Sequence, residues 1–188
     1  PGASLPKSAP YRNYVAQALA YMRTHDAQAF FRAKLADVDE PTAPFGLLDV
    51  HSDIARIIDA HEQLPSDLTQ QIRTQARRAG VSAATLFHAA WGLVVAHTTG
   101  RDDIVVGTVL LGRLQGTAGG QRTLGMFINT LPLRLRLDGL GTKDFVEHTQ
   151  RELVGLINMK IPAARRLHRV LRMLVVVEVA LSLVLLTV

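Results

Sequence analysis

Residues 82–100 constrain the fold more than any other stretch of this chain. Ser82 stands where a helix cap belongs, Gly100 stands where the helix must stop, and the segment between is almost entirely apolar. Residues 83–96 read Ala83, Ala84, Leu86, Phe87, Ala89, Ala90, Trp91, Leu93, Val94, Val95 and Ala96, broken only by Thr85, His88 and Gly92, with His97, Thr98 and Thr99 completing the segment. Such a helix is apolar nearly all round, which predicts burial between layers. An architecture with structure on more than one side of this helix is therefore required.

The flanking sequence supplies candidates for those layers. Residues 104–111 form a short Val-rich run between Asp103 and Gly112, the pattern of a strand covered on both faces. From residue 128 to 137 a second strand is predicted, with Leu131, Leu133, Leu135 and Leu137 alternating against Pro132, Arg134 and Arg136. One face is apolar and the other carries two guanidinium groups. Pro132 removes a ladder donor, which places that point at an edge or a bulge.

Helices surround the two strands. Ser8, Pro10 and the spacing of Tyr11, Tyr14, Val15, Ala18, Leu19 and Met22 predict a capped helix with one buried face. Ala27, Phe30, Phe31, Leu35 and Val38 repeat at helical spacing until Pro41 and Pro44. Residues 39–55 read as a loop and residues 56–64 as a strand. Ser66, with Asp67 in the first turn, opens a helix striped by Leu68, Ile72 and Ala76 that Gly80 ends. Residues 112–123 are a Gly-rich loop, and Thr142 caps a helix running to about Asn158. Helices interleaved with strands define an α/β class with a layered mixed sheet.

The 188 residues, 48% apolar, suffice for one packed domain and exclude a wholly disordered chain. Without cysteine there is neither a disulfide framework nor a thiolate metal site, which fits a reducing cytoplasm. The net charge of +5 is unevenly placed. Five of the basic residues, Lys160, Arg165, Arg166, Arg169 and Arg172, face only Glu178 beyond residue 158, so the body is nearly neutral. It offers little electrostatic reason to bind nucleic acid.

Three stretches carry a resemblance. Leu124-Gly-Met-Phe-Ile-Asn-Thr-Leu-Pro-Leu-Arg134 resembles the Ile/Val-Gly-x-Phe-Val-Asn-Thr…Arg signature of the condensation domains of nonribosomal peptide synthetases. Tyr11-Arg-Asn-Tyr-Val-Ala-Gln17 resembles their Tyr-x-Asp-Tyr-Ala-x-Trp/Gln element, with Asn13 replacing the usual aspartate. Gly100-Arg-Asp-Asp-Ile-Val-Val-Gly107, followed by Gly112-Arg113, is similar to their Gly-x-x-Asp-Val-x-x-Gly…Gly-Arg segment.

The resemblance implies that residues 1–158 are a partial condensation domain, most of the C-terminal lobe of a two-lobed chloramphenicol-acetyltransferase-like fold. The parent domain would join an acyl group on one carrier protein to an amine on the next. The acyl group would travel as a phosphopantetheine thioester held by those carrier proteins, so no cofactor binds this chain directly. The catalytic His-His-x-x-x-Asp-Gly motif of the family is absent here, and no catalytic residue is expected in this chain. By the same resemblance Arg134, Asn129 and Gly125 are active-site support, with Arg134 pairing to the aspartate of the missing motif. The missing N-terminal lobe and the carrier proteins are the expected partners.

On their own residues, these positions read more simply. A guanidinium among leucines needs a carboxylate or solvent. Asn129 suits a strand end, and Gly125 suits a close approach or a positive φ.

Ala76-Arg-Arg-Ala-Gly-Val-Ser-Ala-Ala-Thr-Leu-Phe-His88 resembles the helix-turn-helix of TetR-type repressors. Its second helix, however, would set Ala89, Ala90, Leu93 and Val94 against the groove where polar side chains are needed. The histidines at 25, 51, 61, 88, 97, 148 and 168 lack metal-ligand spacing, and no Gly-x-Ser-x-Gly elbow occurs. Residues 159–188 are basic and then apolar, and match nothing in the family. A reading-frame change near residue 158 is the preferred explanation, with a membrane anchor and a buried strand pair as the other readings. The apolar run from Met173 is shorter than the ~20 residues of a membrane span and contains Glu178.

Overall fold

The computed structural model describes residues 7–46, 61–111, 122–125 and 127–159. Five helices and two strands follow in the order α1 (Tyr11–Thr24), α2 (Ala27–Lys34), α3 (Ser66–Arg78), α4 (Ala83–Thr99), β1 (Asp103–Leu111), β2 (Ile128–Arg136) and α5 (Thr142–Asn158). A short 3-10 turn, Pro44–Gly46, lies between α2 and α3. Most of the strand expected over 56–64, most of the Gly-rich loop and all but the first residue of the 159–188 tail lie outside the described residues. The described part of the first, residues 61–64, is not a strand.

β1 and β2 pair antiparallel without a bulge, from Asp103 opposite Arg136 to Leu111 opposite Ile128. Leu137 N donates to Asp102 O at 2.7 Å, which fixes the phase of the ladder. Hydrogen-bonded pairs then alternate outward through Ile104 with Leu135, Val106 with Leu133 and Thr108 with Leu131. Pro132, opposite Gly107, falls in a non-hydrogen-bonded pair, so its missing N–H subtracts nothing from this ladder. Among the described residues Pro132 lies at a sheet edge, without a bulge. On β1, Val105 occupies the same phase, and its N–H turns away from β2 to Thr42 Oγ1 at 2.9 Å.

The apolar face of the sheet forms the core. Ile104, Val106, Leu131, Leu133 and Leu135 pack with Ala89, Val95 and Ala96 of α4, Phe145, Leu153 and Leu156 of α5, and Phe31 of α2. Gly92 lets α4 approach the sheet: a Cβ there would stand 2.7 Å from Leu135 Cδ1 and 3.3 Å from Phe145 Cζ. Inside this layer Thr85 is fully buried and donates to Gln150 Oε1 at 2.5 Å, joining α4 to α5.

The helix ends follow local rules, with three corrections. Ser82 caps α4 by accepting from Thr85 N, and Gly100 closes it at φ 66°, ψ 27°. Asp26 caps α2 by accepting from Ala29 N. Ser66 and Thr142, however, are the first helical residues rather than caps. Pro65 and Gly141 hold the extended cap conformation instead, at φ −54° and −72°, with no side-chain bond. Pro10 likewise precedes α1 without a side-chain cap.

The largest departure from expectation concerns α4. Thr85, Ala89, Gly92, Val95 and Ala96 are buried, but Leu93 and Val94 are 49% and 51% exposed. Helical geometry puts Ala90, Leu93, Val94 and His97 on one stripe, and that stripe faces outward. The described residues cover one side of α4, not both.

Candidate functional site

The signature segment 124–134 runs from the loop before β2 into its middle. Gly125 lies against the ring of Tyr11, and a Cβ at this position would overlap the ring carbons. Close approach, not positive φ, is what requires glycine here. Phe127 completes the contact, edge-on to Tyr14 at 4.7 Å and to Tyr11 at 5.6 Å between ring centroids. Just upstream, Ala9 N donates to Arg122 O at 2.9 Å. The first turn of α1 is thereby joined to the entrance of β2.

Arg134 is 7% exposed, and all five of its N–H groups have acceptors. Nε donates to Asp103 Oδ1 at 2.9 Å, and one Nη2 proton to Asp103 Oδ2 at 2.5 Å. The other Nη2 proton reaches Asp37 Oδ2 at 3.0 Å. Nη1 donates to Asp37 Oδ1 at 2.5 Å and to Lys34 O at 2.8 Å. Arg136 adds a contact to Asp37 Oδ2 at 2.9 Å. The acceptor of one fork is on the adjacent strand and that of the other follows α2, so a single side chain ties helix to hairpin.

The charges respond accordingly. The guanidinium of Arg134, followed by a backbone bond, holds the Asp37 carboxyl down at about 2, well below the usual carboxylate range. The bonds to Asp103 and Asp37 raise the pKa of Arg134 further. Burial, helped by the neighbouring Arg134 and Arg136, lowers that of Lys34, which pairs with Glu152 of α5.

The three expected support residues are not brought together. By strand alternation Asn129, opposite Leu110, shares the face of Leu131 and Thr108, whereas Arg134 lies on the other face. Gly125 precedes the strand altogether. On the Asn129 face, His88 Nδ1 donates to Ala84 O at 2.7 Å, because a carbonyl can only accept. His88 Nε2 lies 2.8 Å from Thr108 Oγ1, in hydrogen-bond contact with it. Both ring nitrogens of His88 are hydrogen-bonded within the chain.

Sequence reasoning missed Asp37 altogether and did not identify Asp103 as a partner. Asp103 sits in a quoted motif and in the strand pair of Arg134, so register alone could have found it. Asp37 follows the end of α2 and carries no local signal. Among the described residues no group of three or more His, Asp or Glu is arranged to hold a metal ion. No single described helix is long and apolar enough to cross a membrane. The helix pair α3 and α4, which carries the TetR-like pattern, bends by 102° and packs α4 into the sheet layer. The outer stripe of α4 offers apolar side chains where a recognition helix needs polar ones.

A helix-covered antiparallel hairpin whose signature strand is tied to two helices defines an α/β layered lobe. Comparison with known proteins identifies it. The family described as Condensation domain matches residues 3–165, and the chain belongs to that family. Malpinin synthetase of Mortierella alpina is 42% identical over 155 residues, 82% of this chain. Bacitracin synthase 3 of Bacillus licheniformis is 31% identical over 151 residues, 79% of this chain. The chain spans only 2% of the length of each of these relatives. The first condensation domain of the CDA synthetase superposes with a TM-score of 0.71 at 25% identity. That match covers 91% of this chain and 37% of the solved one. The chain thus has part of the chloramphenicol-acetyltransferase-like fold of nonribosomal peptide synthetase condensation domains.

Proposed function

We propose that residues 1–158 form most of the C-terminal lobe of a condensation domain whose complete form makes amide bonds in the cytoplasm. The observation that supports this best is the position of the signature: residues 124–134 lead into and form most of β2 within a fold that matches 91% of this chain to a solved condensation domain. In the complete reaction an amine on one carrier protein attacks the thioester carbonyl of an acyl group on another. The carbon–nitrogen bond forms, the carbon–sulfur bond breaks, the phosphopantetheine thiol leaves, and the amine gives up its proton. The group acting on that amine belongs to the His-His-x-x-x-Asp-Gly motif, which this sequence does not contain.

The contribution of this chain is then to shape one wall of the site. Arg134 secures the hairpin to α2, Gly125 admits the ring of Tyr11, and Asn129 stands where β2 emerges from the signature loop. Arg134 supports the site through Asp37 and Asp103, since its donors are filled within the chain.

The test is a segment exchange. Residues 1–158 replace the matching segment of a malpinin synthetase condensation domain, and peptide-bond formation between loaded carrier proteins is measured. Retained amide formation in the chimaera, with none from purified 1–188 alone, is the expected result. A folded chimaera without activity, or amide formation by 1–188 alone, would refute the proposal.

A further inference from the structure

Lys34 is the last residue of α2, and charges of both signs surround its amine. Nζ pairs with Glu152 of α5 and lies 5.7 Å from the centre of the Phe30 ring. Both contacts, taken alone, favour an ammonium. Against them stand partial burial and two guanidinium groups of β2. Arg134 donates from Nη1 to the Lys34 carbonyl at 2.8 Å, and Arg136 donates to Asp37, just beyond α2, at 2.9 Å. Burial first, then Arg134 and Arg136, lower the pKa of Lys34 in spite of its ion pair. His148 of α5 stands next to the same cluster, its Nε2 filled by the backbone N–H of Arg136 at 3.3 Å. Arg151 of α5 and Asp103 of β1 complete the charges around that imidazole. The Lys34 side chain is still 27% exposed, so a small reagent can reach it from solvent.

We propose that Lys34 is an acylation site whose amine takes the acyl group of a thioester. The unprotonated amine attacks the thioester carbonyl, the carbon–nitrogen bond forms and the carbon–sulfur bond breaks. The proton shed by the nitrogen passes to the Glu152 carboxylate and from there to the departing thiolate. A lysine drawn out of water and set beside other cations is activated for such attack, because both effects favour the form with a free lone pair. The choice of a thioester as donor rests on the function proposed above, whereas the setting of the amine does not. An acylated Lys34 has no charge to offer Glu152, so the reaction would also release the end of α2 from α5.

Lys143 serves as the internal reference, because it too faces a carboxylate, Glu147 at 3.7 Å, but with its side chain 84% exposed. Purified 1–188 is incubated with S-acetyl-N-acetylcysteamine, an uncharged thioester, and acetylation of each lysine is followed by peptide mass spectrometry. Near neutral pH Lys34 should be acetylated about fivefold or more faster than Lys143. In urea, which disperses the cluster, the two rates should converge. Arg136→Gln should slow Lys34 by about twofold and leave Lys143 unchanged. Equal rates in the folded protein, a preference that survives in urea, or an unchanged Lys34 rate in folded Arg136→Gln would each overturn the assignment. None of these would touch the functional reading, which the segment exchange tests separately. Preferential acetylation of Lys34 alongside an inactive, folded chimaera would keep the site and refute that reading.

Discussion

Arg134 grips Asp103 diagonally across the hairpin, with Nε at 2.9 Å from one carboxylate oxygen and Nη2 at 2.5 Å from the other. In register Arg134 faces Val105, and Asp103 faces Arg136. The pair therefore links neighbouring rungs on one face of the sheet. A planar fork can do this while its remaining protons reach Asp37 and Lys34 O, but an ammonium cannot.

Replacing Arg134 by Lys should accordingly lower stability by about 2 kcal/mol, despite the retained charge. The loss is moderated because both carboxylates reach solvent, where water can replace a donor. Urea unfolding monitored through Trp91 measures it, and an unchanged midpoint would remove the clamp from the account.

Asp37 makes the fold acid-sensitive in a particular window. Its folded pKa, about 2, lies below the unfolded value near ~4. Its contribution is complete above the unfolded value and disappears as pH falls through the folded one. Asp37→Asn should therefore flatten the fall of stability between about pH 4 and pH 2 relative to the parent. Parallel slopes for the two proteins would exclude the ion pair as the source.

His148 acts in a milder range. Burial, with Arg151, Lys34 and Arg136 nearby, pushes its pKa below 6.5, and Nε2 accepts from Arg136 N at 3.3 Å. A depressed folded pKa means that the stabilising effect holds above the unfolded value and is lost as pH falls through the folded one. His148→Gln should reduce the loss of stability on acidification from neutral pH. Proton NMR titration of the imidazole checks the direction, and a midpoint above 6.5 would contradict it.

Gly125→Ala should cost about 2 kcal/mol, because a methyl group there overlaps the Tyr11 ring. Tyr11→Ala should relieve most of that cost, giving strongly non-additive energies in a double-mutant cycle. Additive losses would mean that the two residues do not press on each other.

The parts legible in the sequence were those with a local cause. Ser82 and Gly100 bracket α4 because cap chemistry acts within a turn, and β2 shows itself through the alternation of Leu131, Leu133 and Leu135. Ser66 and Thr142 misled by one position because Pro65 and Gly141 adopt the extended cap conformation unaided by a side chain. Arg134's need for a carboxylate was readable, but the Asp37 partner depends on how α2 closes on the sheet. The composition of α4 called for cover on both sides, yet composition does not reveal which part of a protein supplies that cover.

The ladder phase also bears on how the hairpin meets other chains. On the outer edge of β1 the N–H of Val105 is already taken by Thr42, and on the outer edge of β2 Pro132 has none to give. The two interruptions are one non-hydrogen-bonded step apart, so an invading extended segment would lose a rung near the middle of either side. Val-rich and Leu-rich strands of this kind are otherwise good templates for intermolecular β-pairing. Thr42 and Pro132 each remove from an outer edge one backbone donor that such pairing would use.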